Sequence, residues 1–244
     1  MLSTNNHGKI YINKDGKRVL RISEVIKILG KDQLIIWANM LGFKKIYYKA
    51  ELERTANIGT MVHAVLEDFT DESTLTDLSQ FDPIEFDIYQ ASDKLEVSNA
   101  LQSFFLWYRK NSKLFKVVDT EVEMVGDRFG GTTDIILQSP LHKDRVIIGD
   151  YKTAKSVYLS MYLQAGGYIA LYEELHGKNT CDGAVIFQLD KRNGRPANPK
   201  FINRKDMQKY IDTFFALVQV ATLTKELEDS MPFDMTTYTL SEIS

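Results

Sequence analysis

Gly130 to Tyr172, GGTTDIILQSPLHKDRVIIGDYKTAKSVYLSMYLQAGGYIALY, reads as a strand, a short loop, a second strand and a helix. Asp134 sits inside the first apolar run, TTDIIL, and Asp150 and Lys152 end the second, VIIGDYKT. Gln164 and Tyr168 stand four residues apart on the helix and share a face. Burying an unpaired charge costs several kcal/mol or more, so ionised groups at the inner ends of apolar strands call for a partner. A divalent cation would supply one. With the hairpin turn centred near His142, Asp134 falls opposite Asp150, and directly opposed Cβ atoms lie ~5 Å apart. Lys152, two residues on, points to the same face as Asp150. Two acids and a lysine therefore converge on one patch.

The rest of the chain sets the frame for that patch. Its 244 residues suffice for a well-buried core in one elaborated domain. Hydrophobic content of 44% and charged content of 26% belong to a globular protein in water. MLSTNNHGKIYI at the start lacks the apolar core of a secretory signal, and no run reaches the ~18 apolar residues of a membrane span. No membrane partner is expected, and the cytoplasm is the expected setting. The one cysteine, Cys181, excludes an intramolecular disulfide and any all-cysteine metal site. A formal charge of -3 offers no global attraction to nucleic acid, so any such binding must come from local patches.

Residues 9 to 22 read as a hairpin about Asp15-Gly16. Ser23 is a candidate cap for a helix ending at Gly30, and Asp32 for a second over QLIIWANMLGF. From about Lys45 to Phe69 the pattern is helical, with His63 and Glu67 one turn apart. DESTLTDLSQFDP reads as an exposed acidic connection, followed by a long helix from about Ile84 to Lys110. FKVVDTEVEMVG alternates as a strand and puts Glu121 and Glu123 on one face. Beyond the organising stretch come a strand over DGAVIFQL, a basic loop over DKRNGRPANPK, and a long helix from Arg204 to Glu228. The expected fold is α/β (α+β), a mixed central sheet flanked by helices. Its expected divisions are a hairpin and helices over 1–58, a core over 59–230 and a tail over 231–244, all in one domain.

An acid-x-lysine triplet alone says little, because ~4 are expected by chance at this composition; Asp15-Gly-Lys17 is one, in a turn. Asp150-Tyr-Lys152 differs in following VIIG, with Asp134 in register and Gln164 on the next helix. Taken together, Gly59-x-x-x-His63-x-x-x-Glu67, Gly130-Gly-x-x-Asp134, Asp150-Tyr-Lys152-Thr153 and Gln164-x-x-x-Tyr168 resemble the PD-(D/E)xK nucleases, specifically the RecB-like branch that includes bacteriophage-type exonucleases. The literal Pro-Asp of the name is absent here, since Thr133 precedes Asp134.

The resemblance implies a restriction-endonuclease-like core with an N-terminal helical elaboration, and a role for each matching position. Asp134 and Asp150 would ligate Mg2+ or Mn2+ with the backbone carbonyl of Tyr151, and His63 would be a further ligand. Lys152 would position the attacking water, Gln164 would orient Lys152 or touch the scissile phosphate, and Tyr168 would support Gln164. Glu121, with Glu123 as rival, could complete the acidic cluster. Lys155 and Tyr158, and the later Lys191, Arg192 and Arg195, are the candidate DNA contacts. The implied activity is metal-dependent exonucleolytic hydrolysis of DNA, of a phage or prophage recombination type. A structure-specific endonuclease or a catalytically silent nucleic-acid-binding protein are the rival readings. The implied partners are linear duplex ends or single strands, with room for a homo-oligomer and for a single-strand annealing protein. One cysteine cannot hold an iron–sulfur cluster, and no phosphate-binding glycine loop is present, so no nucleotide cofactor is expected.

Overall fold

The computed structural model describes residues 9–30, 32–67, 69 and 82–230. Most of the acidic connection after Thr70, and the tail after Ser230, lie outside the described residues.

The central strands are those whose sequences are apolar on both faces. β4 (Phe129–Gln138, FGGTTDIILQ) and β5 (Val146–Lys152, VIIGDYK) are buried along nearly their whole length, as strands covered on both sides must be. They pair antiparallel, with Ile135 opposite Gly149 and Ile136 opposite Ile148. One further step in that register sets Asp134 against Asp150, as the turn centred on His142 predicts. β3 (Lys116–Val125) pairs antiparallel with β4, with a register shift between Val117 and Asp119. On the other side of β5, β6 (Cys181–Gln188) pairs parallel, carrying Lys152 opposite Gln188, and β7 (Asn198–Asn203) pairs antiparallel with β6.

β7 stands where the sequence predicts the end of a loop. Two asparagines, a proline and a lysine give NPKFIN little strand propensity, and its six-residue ladder with β6 supplies what composition lacks. The expected N-terminal hairpin is present. β1 (Tyr11–Ile12) pairs antiparallel with β2 (Arg18–Arg21), and β2 adds in parallel to β4 at Phe129 and Gly130. Because β3 runs along one edge of β4, β2 and β5 must share the other, at opposite ends. Between them β4 is open, and Asp134 lies at the start of that opening.

Helices cover both faces. α3 (Tyr48–Glu67) and α4 (Ala91–Asn111) pack on Ile135, Leu137, Tyr151 and Phe187. α1 (Ile22–Lys27), α5 (Leu159–His176) and α6 (Arg204–Ser230) pack on Ile136, Ile148 and Ala184. The consecutive residues Ile135, Ile136 and Leu137 thus serve opposite cores, as the period of two requires. Each large side chain buried this way contributes ~1.5–3 kcal/mol. α2 (Asp32–Phe43) stands apart from both cores, with Ile35, Ile36 and Met40 exposed.

Two helix starts differ from expectation. α1 opens on Arg21, whose amide donates to Glu24 Oε2 at 2.9 Å, so Glu24 and not Ser23 supplies the side-chain cap. The segment from Ile84 splits into a short 3-10 turn (Pro83–Phe86) and α4, separated by Asp87 at φ 54°.

Candidate active site

Gly149 lets β5 lie against β4, since a Cβ there would come 2.4 Å from Ile135 Cγ2. Just beyond that contact the ladder opens. Thr133 Oγ1 donates to the Gly149 carbonyl at 2.9 Å, and the Tyr151 amide donates to Asp134 Oδ2 at 2.6 Å. Side chains thus replace main-chain pairing where the acids enter. Asp134 and Asp150 are only 7% and 2% exposed.

α3 brings His63 to the same place. Its Nδ1 is 3.3 Å from Asp134 Oδ1 and its Nε2 is 3.2 Å from the Tyr151 carbonyl oxygen. That carbonyl can only accept, so Nε2 carries a proton. The Gly59 position, one turn earlier, faces Thr153 just past Lys152, where a Cβ would sit 3.5 Å from its Oγ1.

Glu121 reaches the cluster by a backbone device. Thr120 and Val122 pair with Ile135 and Thr133, leaving Glu121 and Asp134 as the residues between. Glu121 takes φ 47°, in the left-handed region that side chains other than glycine seldom occupy. Such strain concentrates at functional sites. One ligand atom each from His63, Glu121 and Asp134 lie within 4.8 Å of one another. Glu123, expected on the same face, instead pairs with Lys9 at the hairpin. Of the two glutamates, Glu121 is the one that stands beside His63 and Asp134.

Lys152 Nζ lies 2.6 Å from Asp150 Oδ2. That oxygen is buried and receives no hydrogen bond of good geometry, so its lone pairs are incompletely used. Gln164 Nε2 donates to the Tyr168 hydroxyl at 2.8 Å, and the Tyr168 ring packs over Gly131.

The titration behaviour describes a site holding too much negative charge for its depth. Burial pushes Glu121 up to about 8, with Asp134 beside it adding to the rise. Burial likewise lifts Asp150 to about 6, against the pull of Lys152. His63 behaves oppositely: burial would lower it, but the charge and hydrogen bond of Asp134 outweigh that and raise it to about 9. Asp134 is held below the usual carboxylate range because His63, Lys152 and the Tyr151 amide overcome its burial. Lys152 is buried too, yet the two aspartates keep it raised and charged. An imidazolium therefore bridges Asp134 and the Tyr151 carbonyl, two of the groups expected to hold a metal. Three mutually close oxygen and nitrogen donors, a buried carboxylate oxygen short of partners and a proton held where a cation would sit fit a divalent ion.

Residues 39–238 match the family model of the PD-(D/E)XK nuclease superfamily. The chain belongs to that superfamily. As a PD-(D/E)XK nuclease it has a mixed sheet flanked by helices and belongs to a family of hydrolytic nucleases that use divalent metals, and the cluster of His63, Glu121 and Asp134 at the opened β4–β5 ladder is the candidate place for one. Among curated proteins, none matches the chain. The crystal structure of SSO0001 aligns over 75% of this chain and 88% of that one, at 16% identity and a TM-score of 0.34.

The expected DNA contacts of this PD-(D/E)XK nuclease are placed unevenly. The loop after β5, with Lys155 exposed and Tyr158 at the start of α5, is tied to β6 by Gln188 Nε2, which donates to the Lys155 carbonyl at 2.6 Å. The loop after β6 starts where the Leu189 amide donates to the Lys152 carbonyl at 2.8 Å. Both loops therefore leave the sheet beside Lys152. In the second loop Arg192 and Arg195 are exposed, while Lys191 Nζ pairs with Glu96 Oε2 of α4 at 3.0 Å. Two other basic groups are similarly committed: Arg54 to Glu51, Asp93 and Glu96, and Arg204 to Glu173. Among the described residues no helix is long and apolar enough to cross a membrane.

Proposed function

We propose that this protein is a Mg2+- or Mn2+-dependent DNA exonuclease of the RecB-like type, hydrolysing phosphodiester bonds in DNA recombination or processing. The observation that carries the reading is the meeting of Asp134, Asp150 and Lys152 with His63 and Glu121 at one opening in the sheet. His63, Glu121, Asp134, Asp150 and the Tyr151 carbonyl would hold the metal. When bound, the ion supplies a lowered water pKa and offsets charge on the phosphate. Oxygen donors suit Mg2+, and one imidazole tilts the set toward Mn2+.

Lys152, charged and set beside Asp150, holds the attacking water and meets negative charge growing on the phosphate oxygens. Gln164 hydrogen-bonds Tyr168 and in turn reaches toward the substrate phosphate. Lys155, Tyr158, Arg192 and Arg195 stand on the two loops that leave the sheet beside Lys152, and would meet the backbone of a DNA strand there. End digestion is favoured over internal cleavage by likeness to the phage-type enzymes, and assembly as a ring-like homo-oligomer or work beside a single-strand annealing protein fits the same likeness.

The test is degradation of end-labelled linear duplex and single-stranded DNA with Mg2+, Mn2+ or EDTA, beside Lys152→Ala and Asp150→Ala. Label loss that requires metal and both residues supports the proposal, and cleavage of covalently closed circles would replace exonuclease by endonuclease. Survival of every substrate in both metals would leave a silent binding protein.

A further inference from the structure

The corner between α2 and α3 reads Phe43-Lys-Lys-Ile-Tyr-Tyr-Lys49. Phe43 is 90% exposed and Tyr47 65%, and Lys44, Lys45 and Lys49 are exposed beside them. From Gln33 to Ala50 the sequence holds no Asp or Glu, and among the described residues no carboxylate pairs with these three lysines. That sets them apart from Arg54, Lys191 and Arg204, each held by a carboxylate at 3.0 Å or less. The turn itself is fixed: Lys45 takes φ 58°, and the Ile46 amide donates to the Leu41 carbonyl at 2.9 Å. A left-handed residue closing a helix is ordinarily glycine. A lysine there accepts backbone strain and places its side chain outward.

Three cations without a carboxylate partner among the described residues, interleaved with two largely exposed aromatic rings, Tyr47 edge-on to Tyr48, match one class of ligand. Lysines neutralise phosphates, and exposed rings offer stacking faces that unpaired bases can use and duplex bases cannot. An anionic lipid surface would satisfy the charges but leaves no reason for the ring faces. From this corner α3 leads to the metal site. Leu52, Ala56 and Gly59 lie along the face that ends at His63, and Ala56 is exposed. Tyr48 to His63 is ~22 Å of helix at 1.5 Å per residue.

We propose that the α2–α3 corner docks single-stranded DNA, with bases stacked on Phe43 and Tyr47 and phosphates on Lys44, Lys45 and Lys49, several nucleotides from the cleaved bond. This rests on the nuclease reading and names the form of its substrate. Strand binding at the corner makes long single strands better ligands than short ones, and gives a strand with an unpaired end a hold on the enzyme before its backbone reaches Lys152.

The test is fluorescence anisotropy of labelled thirty-nucleotide oligo-dT with the full chain in EDTA, over a salt series. Lys44→Gln with Lys45→Gln and Lys49→Gln should lower the log–log salt slope by about 2, at ~0.7 per phosphate on a single strand. Phe43→Ala and Tyr47→Ala should each weaken binding about 10-fold with the slope unchanged. Melting curves confirm that these surface variants fold. Hydrolysis of bis(p-nitrophenyl) phosphate in Mn2+, which reports the metal site alone, should be the same for all of them. Equal affinity and slope for native and variant chains would overturn the docking site even where hydrolysis persists. Loss of hydrolysis from every chain, with the binding differences intact, would overturn the nuclease reading instead. Equal binding to oligo-dT together with lysine-dependent binding to phosphatidylserine vesicles would assign the corner to a membrane surface.

Discussion

Glu121 and Glu123 separate two effects that a sequence pattern merges. Alternation places both on one side of β3, but the left-handed backbone at Glu121 turns its carboxyl to His63 and Asp134, while Glu123 pairs with Lys9. Glu121→Gln should therefore raise the Mn2+ concentration for half-maximal nuclease activity by ~10–100-fold, and Glu123→Gln should leave it unchanged; equal effects would place Glu121 outside the metal site. Lys152→Ala should lower kcat by ~10²–10³-fold in saturating metal, measured on end-labelled DNA. The protons of the site give a further consequence. His63, raised from 6.5 to about 9, contributes stability present in full below 6.5 and lost as pH rises through 9. Glu121, raised from 4.5 to about 8, is increasingly costly to keep folded as pH climbs past 4.5 and its unfolded form ionises. Both act in one direction, so in EDTA the melting temperature should fall between pH 6.5 and 9. Mn2+ binds the deprotonated groups, so its stabilising shift should grow over the same window. A metal-induced shift that does not change with pH would count against His63 and Glu121 as ligands.

The elements that carry the site were largely readable because strands buried on both faces write themselves as apolar runs. TTDIIL and VIIGDYKT showed strands, turn and register, since a one-residue slip would move every side chain to the wrong face. What could not be read was structure made by contact at a distance. β7 exists through its ladder with β6, and Arg21 and Glu24 rather than Ser23 open α1 because the chain enters that helix straight from β2. The opened ladder also depends on close approach. A methyl at Gly149 would press on Ile135 Cγ2 at 2.4 Å, with the Ile135 carbonyl oxygen at 3.2 Å behind it. β-branched Ile135 is fully buried and has little room to turn. Gly149→Ala should cost ~1–3 kcal/mol and lower the melting temperature by roughly 2–4 °C per kcal/mol for a chain of this size. Activity should fall further than stability alone explains, because the Ile135–Gly149 pair directly adjoins Asp134 and Asp150, where the two strands separate. Unchanged melting would mean that β5 can shift away from β4 freely.

Across the whole molecule, charge sorts by commitment rather than by count. A net charge of -3 hides lysines and arginines of two kinds. Arg54 and Lys191 share Glu96 and so join α3, α4 and the loop after β6, the three elements that frame the Lys152 end of the sheet. Sequence groups Lys191 with Arg192 and Arg195 because neighbours in a basic run look alike; Glu96, far earlier in the chain, is what separates them. Loss of Lys191 should accordingly act on the fold, and loss of its neighbours on DNA. Arg192→Gln and Arg195→Gln should each reduce the log–log salt slope of duplex binding by about 0.9, with melting unchanged. Lys191→Gln leaves Glu96 with Arg54 as its remaining partner and should destabilise by ~0.5–1 kcal/mol, the range for a part-exposed pair, with a smaller change in slope than either arginine gives. The measurement is a filter-binding salt titration beside thermal melts of the same three variants. If Lys191→Gln lowers the slope as much as the arginine variants and melts like the native chain, its ammonium leaves Glu96 for phosphate when DNA arrives, and the pair is a latch on the loop instead of a brace within the fold.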